Sequence, residues 1–128
     1  MTDQKKTILV VDDEADICDY ISTVLEDNGF DTLVAADGRQ ALESIKKGKP
    51  DLITLDVSMP ERSGVRFYRD VKESEEYKNI PVIIISGVDA SFEKFISTRR
   101  QVPPPDGYIR KPIDKAELVE MVRKLTGS

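Results

Sequence analysis

Apolar positions in this chain switch repeatedly between two periods. Ile8, Leu9, Val10 and Val11 form an unbroken run rich in β-branched residues, the pattern of a strand covered on both faces. Behind it Ile17, Ile21, Val24 and Leu25 recur at helical spacing, and Asn28-Gly29 supplies a stop. A second short strand over residues 32–36 precedes a helix that carries Ala41, Leu42 and Ile45 and ends near Gly48. Residues 52–55 form a third strand ending at Asp56, and after the loop VSMPERSG the positions Val65, Tyr68 and Val71 mark a third helix. PVIIIS is the clearest strand, followed by a fourth helix suggested by Phe92, Phe95 and Ile96. The loop QVPPPD leads to a short fifth strand near Tyr108 and Ile109. Asp114 then opens a fifth helix with Glu117 as its capping-box partner, and Leu118, Met121, Val122 and Leu125 form its buried stripe.

Five strand-then-helix units with nearly continuous apolar strands predict an α/β fold: a parallel sheet with helices on both faces, a three-layer α/β/α sandwich. Right-handed crossovers restrict its topology, and ligands of such open sheets bind beyond the carboxyl ends of the strands. That edge carries the unusual residues. Strand one ends in Asp12 and Asp13, strand three in Asp56, strand four in Ser86, and strand five in Lys111-Pro112. Each has an ordinary alternative. Asp12 or Asp13 could cap the first helix while Glu14 and Asp16 complement its dipole. Asp56 could be a solvated acid, Ser86 a cap, Lys111 an exposed cation, Tyr108 a sheet-packing aromatic and Cys18 a small core residue. Their coincidence on one rim favours a site.

Composition narrows what that site can be. The 128 residues, 39% of them hydrophobic, fit one domain with one core, its body spanning about residues 6–125. A net charge of −5 disfavours direct binding to nucleic acid or to an anionic membrane. No apolar stretch approaches the roughly 20 residues of a membrane span. The single Cys18 cannot close an internal disulfide, and MTDQKK leads into no apolar signal segment, so a reducing cytoplasm is expected. The chain has no histidine, which excludes Ser-His-Asp catalysis and imidazole-ligated metals within it. Three carboxylates converging at one rim cannot all stay ionised without a cation. With oxygen ligands alone on offer, Mg²⁺ is favoured over zinc, and it leaves room for a phosphoryl group.

ILVVDDE, LDVSMP with Gly64 beyond it, IIISG and YIRKP stand in the order and spacing of the response regulator receiver domains of two-component signalling, which this sequence resembles from about Lys6 to Leu125. The resemblance implies a flavodoxin-like, chemotaxis-type receiver with strand order 2-1-3-4-5. It implies Asp56 as the phosphoryl acceptor, Asp13 as a direct Mg²⁺ ligand, Asp12 as a ligand through water, and the Ser58 carbonyl completing the protein's share. Lys111 would neutralise phosphoryl oxygens, Ser86 would sense the bound group, Tyr108 would follow it inward, and the bond before Pro112 would be cis. The resemblance further implies a signalling switch that catalyses its own phosphorylation and dephosphorylation. The donor is expected to be a sensor histidine kinase or histidine phosphotransfer protein. A downstream effector would read the face of the fourth helix, fifth strand and fifth helix, and dimerisation on phosphorylation is compatible with this scheme.

Two departures from the family pattern stand out. RRQVPPPDGYIRKP lengthens the path into strand five and stiffens it with Pro103, Pro104 and Pro105. Val88 replaces a residue that is polar in many relatives, so Ser58 and Val88 would flank the approach of hydrolytic water without organising it. Two other readings compete. A phosphoaspartyl hydrolase of the haloacid-dehalogenase type needs an acid two residues beyond the nucleophile, where Ser58 stands. A receiver-like scaffold that takes no phosphate would have no use for the set Asp12, Asp13, Asp56, Ser86 and Lys111. Neither GxGxxG nor a GK[ST] loop is present for a nucleotide. The last helix and Thr126-Gly127-Ser128 fit either a stand-alone receiver or one placed before an output domain.

Overall fold

The computed structural model describes residues 5–56, 63–86 and 105–127. Its elements run β1 (Thr7–Val11), α1 (Ala15–Asp27), β2 (Asp31–Ala35), α2 (Gly38–Lys47), β3 (Leu52–Asp56), α3 (Ser63–Glu73), β4 (Val82–Ser86), β5 (Gly107–Arg110) and α4 (Lys115–Thr126). The expected helix around Phe92, Phe95 and Ile96 lies outside the described residues, so the label α4 belongs here to the C-terminal helix. All strand pairs are parallel, in the order β2-β1-β3-β4-β5. This is the flavodoxin-like order that the receiver resemblance implies.

Alternation along the strands builds two cores. Leu9, Val11, Ile53, Leu55, Val82 and Ile84 meet Ala41 and Ile45 of α2 and Phe67, Tyr68 and Val71 of α3. Ile8, Val10, Leu52, Ile83, Ile85 and Ile109 meet Cys18, Ile21, Val24 and Leu25 of α1 and Leu118 and Val122 of α4. Because helices cover both faces, the runs Ile8–Val11 and Val82–Ile85 are apolar at successive positions rather than alternately polar, whereas the edge strand β2 is largely exposed.

Helix ends follow local chemistry. Asp37 caps α2 by accepting from the Gln40 N–H at 2.8 Å, while Gln40 Oε1 accepts from the Ala36 N–H at 2.9 Å. That cap claims Ala36, so β2 ends at Ala35, one residue earlier than the apolar pattern indicates. Asp114 caps α4 by accepting from the Glu117 N–H at 2.9 Å, and Gly127 ends it at a φ of 75°, a left-handed conformation that favours glycine. At α1 neither Asp12 nor Asp13 is the cap. Glu14 holds that position without a side-chain capping bond. None of the helices described is long and apolar enough to cross a membrane.

Candidate functional site

Strand parity delivers the site residues. Asp12 continues the series Ile8, Val10; Asp56 the series Leu52, Thr54; and Lys111 the series Ile109, all on the face that α1 and α4 cover. β1 and β3 are neighbours, with Val10 opposite Thr54 and Val11 opposite Leu55, so Asp12 and Asp56 emerge side by side. One carboxylate oxygen from each of Asp12, Asp13 and Asp56 lies within 4.8 Å of the others. Asp12 and Asp56 are each only 2% exposed, whereas Asp13 is exposed.

Asp12 is held from several directions. Its N–H donates to the Ala35 carbonyl at 3.1 Å, its carbonyl accepts from Cys18 Sγ at 3.2 Å, and its Oδ1 accepts from the Glu14 N–H at 2.9 Å. Oδ2 is buried with no hydrogen bond among the described residues and faces Lys111 Nζ at 3.6 Å. Burial pushes the Asp12 carboxyl up to about 6; the Glu14 N–H opposes this, Asp56 adds to it and Lys111 offsets part of it. An orphaned buried oxygen beside two more carboxylates is a donor set suited to a hard divalent cation, and Mg²⁺ fits these residues.

Lys111 follows β5 and is tied to β4, its N–H donating to the Ser86 carbonyl at 3.0 Å. Its Nζ stands 3.6 Å from Asp12 Oδ2, 3.7 Å from Asp56 Oδ1 and 3.5 Å from Glu14 Oε1. Burial disfavours its charge, yet Asp56, Asp12 and Glu14 together outweigh that and raise its pKa. The Lys111-Pro112 peptide bond is cis.

Ser86 ends β4 one residue beyond Ile85, the register partner of Asp56. Tyr108 pairs with Ile84 and packs against the α2/α3 core, so by parity it and Ser86 belong to the face opposite Asp12, Asp56 and Lys111. Cys18 is buried, and burial first and Asp12 second push its thiol up to about 11, which keeps it protonated. Ser58 and Val88 lie outside the described residues, as do Pro103 and Pro104; Pro105 is buried.

The sequence reading assigned Glu14 only to the helix dipole, but the structure brings it onto Lys111. Its signal was its place as the third of three acids after β1. Lys72 was not singled out at all. Its side chain is 6% exposed, and Nζ donates to the carbonyls of Lys78 at 3.2 Å and Ile80 at 3.1 Å and pairs with Asp106 at 3.6 Å.

Residues 8–123 match the family described as response regulator receiver domain. The DNA-binding response regulator MtrA of Mycobacterium tuberculosis is 32% identical over 123 residues, which make up 96% of this chain and 51% of MtrA. The chain thus spans about half the length of the curated relatives it matches. Among solved structures, the receiver domain of the Francisella response regulator 1452 aligns with a TM-score of 0.81 and 33% identity, over 96% of this chain and 98% of that one. The chemotaxis response regulator CheY4 of Vibrio cholerae aligns with a TM-score of 0.82 and 27% identity, over 95% and 99%.

Proposed function

This chain belongs to the response regulator receiver domains of two-component systems, signalling switches by family, and on that premise we propose that it accepts a phosphoryl group on Asp56 and thereby changes a partner-binding face. The supporting observation is the buried Asp56 carboxylate, 3.7 Å from the Lys111 ammonium and clustered with Asp12 and Asp13. A carboxylate so placed is a nucleophile with charge compensation already in position.

The donor is a phosphohistidine on a sensor kinase or phosphotransfer protein, since this chain has no histidine. An Asp56 oxygen bonds to phosphorus as the bond from phosphorus to the imidazole nitrogen breaks, the electron pair leaving with the ring. Lys111 neutralises charge on the transferring group, so the protein contributes positioning and electrostatics. Asp12, Asp13, Asp56 and the Ser58 carbonyl would hold Mg²⁺, which would supply further charge neutralisation. The Ser86 hydroxyl then donates to the new phosphoryl oxygens, and Tyr108 moves inward with it. That change is read by a downstream effector on the surface around β5 and α4. The same site returns to rest by hydrolysis, slowed because neither Ser58 nor Val88 organises water. The whole acts as one receiver domain in a reducing cytoplasm, consistent with the single buried Cys18.

The test is Mg²⁺-dependent labelling from acetyl phosphate, read as intact mass. Wild type should gain one phosphoryl group only with Mg²⁺, and Asp13→Ala should lose labelling together with its Mg²⁺ response. Efficient Mg²⁺-dependent labelling of Asp13→Ala would refute the assignment of the metal site.

A further inference from the structure

Lys111 has three carboxylates at nearly equal range, and they are not equivalent. Asp12 and Asp56 are buried, whereas the Glu14 side chain is 62% exposed and accepts a hydrogen bond from Lys111 Nζ at 3.5 Å. Both ends of this contact are anchored. The Glu14 N–H is fixed on Asp12 Oδ1 at 2.9 Å, and its carbonyl accepts from Ile17 and Cys18 at 3.1 Å each as the first turn of α1. Lys111 is fixed through its N–H on Ser86, at 3.0 Å. An exposed carboxylate in high dielectric is released at little cost, so the pair can open each time the ammonium is needed elsewhere.

We infer that Glu14 is a positioning residue that shares Lys111 with Asp56 in the resting protein and so restrains the rate at which Asp56 takes a phosphoryl group. The inference rests on the proposed receiver reading. In the step concerned, an Asp56 oxygen bonds to the phosphorus of the donor while the bond to its leaving group breaks. The ammonium must then serve the equatorial phosphoryl oxygens, and whatever fraction of it Glu14 engages is withheld. Removing the Glu14 charge frees Lys111, whereas removing a neighbouring charge that does not touch Lys111 does not.

The experiment compares initial labelling by acetyl phosphate at saturating Mg²⁺ in wild type, Glu14→Gln and Asp16→Asn. Asp16 is exposed in the first turn of α1 and forms no ion pair among the described residues, so it matches the charge change without the contact. Glu14→Gln should label about two- to five-fold faster, the scale of an exposed ion pair, with an unchanged urea midpoint. Asp16→Asn should stay close to wild type. No acceleration in Glu14→Gln, or equal acceleration in Asp16→Asn, would overturn the inference, the latter showing a general field effect on an anionic donor. Absence of labelling in wild type, or labelling that persists in Asp56→Asn, would instead overturn the receiver reading and this inference with it.

Discussion

At the scale of single residues, Asp12 carries the clearest energetic signature. Its carboxyl is pushed from 3.8 up to about 6, chiefly by burial, so the folded protein holds this proton more tightly than the unfolded chain does. Between those values the folded state binds more protons, and stability therefore falls as pH rises through that window. The cost is fully present above about pH 6 and amounts to on the order of 2–3 kcal/mol in the metal-free protein. Asp12→Asn should remove it, raising metal-free stability at pH 7 by about 1–3 kcal/mol while flattening the fall between pH 4 and pH 6. Urea denaturation of both proteins across that range, with chelator present, measures the difference. Parallel pH profiles would contradict the assignment. The acids themselves were legible in sequence because a buried strand has no structural need of clustered charge at its end. The Glu14 contact with Lys111 was not legible, since it depends on a residue 97 positions away. Thr54 was also missed: a β-branched residue in a strand raises no question, yet its buried hydroxyl has no hydrogen-bond partner among the described residues.

At the scale of elements, the far end of the sheet has its own polar anchor. Lys72, near the end of α3, donates to two carbonyls of the turn into β4 and pairs with Asp106, which precedes β5. Asp106 Oδ2 in turn accepts from the Val82 N–H at 2.9 Å, and the Asp106 N–H donates to the Val82 carbonyl at 3.0 Å. The Lys72 ammonium also lies 5.9 Å from the centre of the Tyr68 ring. Three elements are thereby tied at one point, and the register of β5 is set five residues before Lys111. Lys72→Met keeps the length and apolar stem but strands the buried Ile80 carbonyl and the half-buried one of Lys78, so it should cost about 1–3 kcal/mol. Chemical denaturation checks this, and a loss below about 0.5 kcal/mol would mean that the network is only a surface pairing. Sequence periodicity placed α3 through Val65, Tyr68 and Val71 but could not see this anchor. A lysine one residue beyond an apolar position looks solvated until the turn folds over it. The same limit applies at the start of α1, where Glu14 holds the capping position while Asp12 is tied through its N–H to the Ala35 carbonyl and through Oδ2 to Lys111.

At the scale of the whole molecule, the layered architecture was legible because it rests on period alone. Nearly continuous apolar strands require cover on both faces, and five strand-then-helix units leave few topologies for a right-handed parallel sheet. The strand order came from motif resemblance rather than from period, since nothing in the apolar pattern says which strand lies in the middle. Once β1 and β3 are adjacent, parity brings Asp12, Asp56 and Lys111 onto the same face of the sheet, and the acid cluster follows from the fold. The central claim is that this convergence makes Asp56 a phosphoryl acceptor. Its most direct test is intact-protein mass spectrometry after incubation with acetyl phosphate and Mg²⁺, wild type beside Asp56→Asn. The account predicts one added phosphoryl group on wild type, labile in hydroxylamine as an acyl phosphate, and none on the variant. Equal incorporation by Asp56→Asn, or none by folded wild type, would contradict it.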